Sequence, residues 1–193
     1  MIISLRIAGV GGQGIIFAGI VIARAASLYE NAGNKELYAV QTQTYGPEAR
    51  GGVSKCDVKI SDHQDFCPFI EKPDFLILMS QSAYDEFIED TKPETIVIID
   101  SDAVASRPDL RYFEIPAVKR AKEVGKIPVA NIIMIGAFVN LTQLISIKSV
   151  VHALHDVSPK GTFEMNKNAL MEGIELSKPL KSLFKKTYRK VHD

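Results

Sequence analysis

The chain has no tryptophan, only two cysteines among 193 residues, and no surplus of either charge. Each scarcity removes a class of function. Cys56 and Cys67 form neither a CxxC pair nor a Cys/His cluster, so no zinc-type centre is expected. The four histidines do not supply one either. His152 and His155 share a helical face at i, i+3, but no third ligand accompanies them, and His63 and His192 stand apart. Basic and acidic residues balance at 23 each, which gives the whole chain no electrostatic reason to seek nucleic acid. No apolar run reaches the ~20 residues that a bilayer span requires. The opening run Met1–Leu5 is short, Arg6 follows it, and it reads as a buried strand. Two thiols and no secretory leader fit a reducing compartment, so a cytoplasmic location is expected. Internal repeats and low-complexity linkers are also missing.

What is present is an alternation of apolar strands and helices. Strands are predicted at 2–9, 36–43, 53–60, 74–80, 95–102 and 111–117. "DFLILMS" and "TIVIIDSD" are continuous apolar runs of the kind that parallel strands, buried on both faces, require. Helices are predicted at 13–34, 82–90, 117–125 and 131–145, and near 148–156 and 165–177. Gly33-Asn34 and Gly125 supply helix stops. The first helix is small and apolar on nearly every side, so it is expected to be buried or to pack against another chain. This order predicts an α/β protein: a Rossmann-like three-layer sandwich with a largely parallel sheet, built as one domain over 1–177.

"IAGVGGQGII" joins the first strand to the first helix. Gly9 permits a tight turn, Gly11 a close backbone approach, and Gly14 close helix packing; Gly12 and Gln13 stand between them. The helix N-terminus behind this loop offers free N–H groups and a partial positive charge to an anion, and the Gln13 amide could reach a ligand. A dinucleotide site should also carry an acid after the second strand to grip a ribose. That strand runs into "VQTQTYGP", which has none. A Walker-type loop is excluded because no Gly-Lys-Ser/Thr follows. An anionic ligand other than NAD, close helix packing alone, and NAD or a relative held without that acid remain open.

A second dense stretch is "YGPEARGG", 45–52. Pro47 stiffens the turn, and Arg50 sits among glycine N–H groups, placed to meet a carboxylate or phosphate or to pair with Glu48. Together the two loops resemble the gamma subunit of 2-oxoacid:ferredoxin (acceptor) oxidoreductases. The likeness continues at "NIIMIGAF" (131–138) and "NKNALMEG" (166–173), covering roughly 1–177. The second loop looks most like the 2-oxoglutarate branch, with the pyruvate and ketoisovalerate branches close.

The resemblance implies a component of an enzyme that decarboxylates a 2-oxoacid on thiamine diphosphate, passes electrons through iron–sulfur clusters to ferredoxin or a similar acceptor, and transfers the acyl group to coenzyme A. Thiamine and the clusters would lie on alpha, beta and delta partner subunits. This chain lacks the Gly-Asp-Gly that opens a thiamine motif, and two cysteines fall short of the ~4 thiolates a cluster takes. No residue is assigned to catalysis. Gly9, Gly11, Gly12, Gln13, Gly14, Arg50 and Asn131 are the candidates for coenzyme A, with Tyr45 and Glu48 shaping the second loop. Asn131 has a second reading as a helix N-cap. Gly136 is expected to pack against the first helix or the ligand. Two other functions stay open: a stand-alone Rossmann-like nucleotide-binding enzyme or sensor, and a purely structural subunit.

The tail 178–193 has six basic residues and one acid, so the remainder of the balanced chain carries net −5. Leu180, Leu183, Phe184, Tyr188 and Val191 follow helical spacing, and a basic amphipathic helix docking on this protein or on a partner is expected.

Overall fold

The computed structural model describes residues 2–30, 36–45, 52–64, 66–105, 112–124 and 127–192. The stops at Gly33-Asn34 and Gly125, and Pro47, Glu48 and Arg50 of the second loop, lie outside these residues.

Among the described residues six strands form one sheet: β1 (Ile2–Val10), β2 (Tyr38–Tyr45), β3 (Val53–Ser61), β4 (Phe75–Leu78), β5 (Ile96–Asp100) and β6 (Tyr112–Ile115), in the spatial order β2-β3-β1-β4-β5-β6. β1, β4, β5 and β6 run parallel, as the apolar runs require, while β3 is antiparallel to both β1 and β2. The β2–β3 hairpin therefore folds back so that β3, not β2, lies beside β1.

A buried charge fixes the register of that antiparallel join. Arg6, 1% exposed, faces Asp57 across the β1–β3 pair. Its Nε and one terminal nitrogen donate to the two Asp57 oxygens at 2.8 and 3.1 Å. Its remaining donors reach Asp90 at 2.9 Å and the Ile70 carbonyl at 2.7 Å. A one-residue slip would turn Arg6 to the opposite face and leave both charges unpaired.

Seven α-helices lie among the described residues: α1 (Ile15–Arg24), α2 (Gln81–Phe87), α3 (Ala117–Glu123), α4 (Ala130–Thr142), α5 (Ile147–Val157), α6 (Phe163–Ser177) and α7 (Lys181–His192). α1 continues through a π-helical turn at Ala25–Tyr29, packed against α5, where the Ser149 hydroxyl donates to the Tyr29 carbonyl at 2.9 Å. One face of the sheet, carrying Ala8, Leu76, Leu78, Val97 and Ile99, is covered by α2 through Ala83, Tyr84 and Phe87. The other face, carrying Leu5, Ile7, Phe75, Ile77 and Ile98, is covered by α1 and the helices from α3 onward.

On that side the helices stack two deep. α4 has twelve of its thirteen residues buried, which explains why its sequence is apolar all round. It is sandwiched between the sheet and α6. Gly136 and Gly173 meet at this crossing: a Cβ on Gly173 would press on the Ile133 carbonyl, and one on Gly136 on the Leu170 carbonyl. Gly136 thus packs against α6, correcting the expectation of a contact with the first helix or a ligand.

α1 buries Ile15, Ala18, Gly19, Val21, Ile22 and Ala23 within this chain, with Ile16 and Phe17 half-buried against the same core. Cys56, on the apolar face of β3, is buried against Gly19, and burial pushes its thiol up to about 11. α7 docks on its own chain through Phe184 and Tyr188, whereas Leu183, expected on the docking side, is 54% exposed. Among the described residues, no helix is long and apolar enough to cross a membrane.

Candidate functional site at the carboxyl edge of the sheet

β1 and β4 are parallel neighbours whose connections diverge. β1 leads to α1 on one face, and β4 leads to α2 on the other. Such a divergence opens a crevice beyond the carboxyl ends of the two strands, where ligands of open α/β sheets bind. The glycine loop occupies one wall of it.

Gly11 and Gly12 are exposed, and Gly12 (φ 95°) and Gly14 (φ 72°) adopt the left-handed conformation that favours glycine. A Cβ on Gly12 would meet nothing within 4 Å, so the outer side of the loop is open. Gly14 is the N-cap of α1 and has no side chain to cap it, and among the described residues no other side chain takes up the first-turn N–H groups of the helix. Gly9 instead faces inward, where a Cβ would strike the Gln13 amide oxygen and Ile15.

Gln13 closes the inner side of the crevice. Its amide oxygen accepts from the Val10 N–H at 2.8 Å, and its amide nitrogen donates to the Met79 carbonyl at 2.8 Å. The side chain therefore ties the end of β1 to the end of β4. Asn131 approaches from α4. It lies one residue inside the helix, whose N-cap is Val129, so the N-cap reading of Asn131 does not hold. The Asn131 amide, 3% exposed, donates to the Gly14 carbonyl at 2.9 Å, and its oxygen accepts from the Ile132 N–H at 2.8 Å. A Cβ on Gly14 would run into that amide.

The end of the second loop reaches the first. The Gly11 N–H donates to the Gly52 carbonyl at 3.1 Å, beside the opposed pairs Val10–Val53 and Gly9–Ser54. Six of the seven candidates, Gly9, Gly11, Gly12, Gln13, Gly14 and Asn131, thus come together, while Arg50 lies outside the described residues. The end of β2, where a dinucleotide enzyme carries its ribose acid, is separated from the loop by β3. That placement removes a second requirement of the NAD reading.

Sequence comparison fits this geometry. The family described as pyruvate ferredoxin/flavodoxin oxidoreductase matches residues 4–176. The chain belongs to that family. Among relatives of this oxidoreductase family, 2-oxoglutarate synthase subunit KorC of Methanocaldococcus jannaschii is 46% identical over 182 residues, covering 92% of this chain and 95% of that protein. The gamma subunit of a keto/oxoacid ferredoxin oxidoreductase from Geobacter sulfurreducens superposes with a TM-score of 0.77 at 36% identity, over 92% of this chain and 97% of that one. The 2-oxoglutarate:ferredoxin oxidoreductase of Magnetococcus marinus, solved with 2-oxoglutarate, coenzyme A and succinyl-CoA bound, also gives a TM-score of 0.77, at 26% identity. That match covers 93% of this chain and 31% of the longer one.

Two features of this pyruvate ferredoxin/flavodoxin oxidoreductase chain escaped the reading of its sequence. Ser80 caps α2 across the crevice, its hydroxyl accepting from the Ala83 N–H at 3.2 Å. The signal was a serine directly after the apolar run of β4. Asp100, fully buried at the end of β5, accepts from the Asp102 N–H and the Val118 N–H, both at 3.1 Å, and so holds the start of α3. Burial pushes the Asp100 carboxyl up to about 6, against the pull of those donors. His152 packs edge-on against Tyr29 and His155 against Phe163. Among the described residues, no group of three His, Cys, Asp or Glu side chains is arranged to hold a metal ion.

Proposed function

We propose that this chain is the gamma subunit of a multi-subunit 2-oxoglutarate:ferredoxin, or similar-acceptor, oxidoreductase, and that its glycine loop holds part of coenzyme A. The observation that carries this reading is the junction at the carboxyl edge. An uncapped helix start, two exposed glycines and the end of the second loop meet in one crevice. Such an edge supplies N–H donors for an anion, and the phosphates of coenzyme A are suitable anions. The oxoacid and acyl-CoA bound in the Magnetococcus enzyme, and the 2-oxoglutarate synthase relatives, support the choice of substrate.

In this reading Gly9, Gly11, Gly12 and Gly14 shape the loop, Gln13 and Asn131 hold it, and Arg50 meets an anionic part of coenzyme A or orders its loop against a neighbouring subunit. Residues 1–177 are the family domain and 178–193 its basic appendage. Thiamine diphosphate and the iron–sulfur clusters, which supply decarboxylation and electron transfer, reside on alpha, beta and delta subunits. The assembled enzyme works in the cytoplasm, and this chain alone is inactive.

The test is co-expression with those subunits, followed by anaerobic viologen reduction and hydrogen exchange. Activity should require both 2-oxoglutarate and coenzyme A, and coenzyme A should slow exchange across residues 9–14. Gly11→Val, which closes the backbone approach, should abolish turnover in a complex that still assembles. Full activity of that variant, or exchange unchanged by coenzyme A, would overturn the site assignment. Activity with pyruvate but not 2-oxoglutarate would overturn the substrate.

A further inference from the structure

α7 turns its apolar side inward. Phe184, 3% exposed, packs against Phe113 at 5.2 Å between ring centroids, and Tyr188 stacks on Phe75 at 6.3 Å. What faces outward is cationic. Lys178, Lys185 and Lys186 are exposed, with Leu183 between them. Lys178 pairs with Glu175 at 2.6 Å. Among the described residues Lys185 and Lys186 have no acidic partner, and Lys181 reaches only the Asn140 amide oxygen, at 3.4 Å. The remainder of the chain carries net −5, yet among the described residues Glu175 is the acid paired with this face, through Lys178.

Cationic amphipathic helices also bind anionic membranes, but they do so by inserting their apolar side. Here the protein's own core consumes that side, and among the described residues of the helix Leu183 is the one large apolar residue left exposed. A charged face with little apolar area suits a protein surface of opposite sign, where charge complementarity sets orientation and association rate.

We propose that the outer face of α7 is a docking surface for an acidic patch on an adjoining protein subunit of the assembly. This rests on the subunit reading above. α7 follows the stretch 4–176 matched by the family and packs on Phe75, at the start of β4. It therefore sits at the sheet edge opposite the glycine loop, and changes on its surface leave the coenzyme A crevice intact.

The test measures binding of this chain to the purified partner subunits of its oxidoreductase as salt rises from about 0.05 to about 0.5 M, a range over which exposed charges become screened. Wild-type affinity should fall about tenfold over that range, and Lys185→Glu/Lys186→Glu should bind about tenfold more weakly at low salt with a flattened salt response. Lys148→Glu/Lys160→Glu makes the same change of charge on other exposed positions and should bind like wild type. If the α7 variant matches wild type at every salt concentration, the docking surface is wrong while the subunit reading stands. If wild type does not associate at all, both fall. Sedimentation of the wild-type chain, but not the α7 variant, with phosphatidylcholine/phosphatidylglycerol vesicles would assign the face to a membrane and overturn the proposal.

Discussion

Asn131 works through a backbone carbonyl 117 residues away. Its amide holds the Gly14 carbonyl, and Gly14 sets the direction in which the first N–H groups of α1 point. Asn131→Ala removes one of the two donors to the Gly14 carbonyl, which keeps the Ala18 N–H, and costs about 0.5–1.5 kcal/mol. Asn131→Asp is worse, because it sets an acceptor against an acceptor. In the assembled enzyme, the KM for coenzyme A should rise from wild type to Ala to Asp, with a smaller effect on kcat; an unchanged KM in both variants would refute the role. The sequence made Asn131 visible as a candidate, through family resemblance and through the preference of asparagine for helix starts. It could not show the partner. Local propensity operates within a turn, whereas this hydrogen bond depends on α4 crossing beneath α1. The same holds for Gln13: its neighbours in sequence suggest a ligand contact, but its second partner is the end of β4.

At the scale of elements, the α4–α6 crossing is the tightest contact in the helical layer, and it depends on two glycines that oppose each other through backbone. Alanine is the better helix former by about 1 kcal/mol, so in an isolated helix either Gly136→Ala or Gly173→Ala would stabilise. Here each added methyl would press on a carbonyl oxygen of the facing helix, and backbone cannot rotate aside as a side chain can. The helices must separate, which opens the packing around Leu170 and Ile133. Each variant should lose about 2 kcal/mol or more in urea unfolding. The double variant should lose less than the sum, since one displacement serves both. A gain in stability from either change would show that the crossing relaxes freely. The existence of both helices was legible from periodicity, and Gly136 was legible as an anomaly within a helix. Its partner was not, because α4 is apolar on every side and its pattern marks no face as the contact.

For the whole molecule, the strands and their buried or half-buried character were legible, but their order was not. A second strand directly beside β1 is the simplest arrangement for an alternating α/β chain. The hairpin defeats it by inserting β3, and Arg6 with Asp57 holds that insertion in register. Charge placement also governs how the fold as a whole responds to pH, through Asp100. This carboxylate is buried among the ends of β5 and β6 and the start of α3, and its value rises from an ordinary 3.8 to about 6 because burial disfavours the ionised form. A raised value means that the folded state holds the proton more tightly than the unfolded state. The associated stability is therefore complete below about pH 4 and is lost as pH rises through about 6, on a scale of ~3 kcal/mol. Asp100→Asn stays neutral throughout. It forfeits a backbone N–H contact, so it should be less stable than wild type in acid. The difference should narrow or reverse by ~2–3 kcal/mol between about pH 4 and pH 8. Chemical unfolding of both proteins across that range measures this directly, and a difference that stays constant with pH would mean that Asp100 remains ionised in the fold.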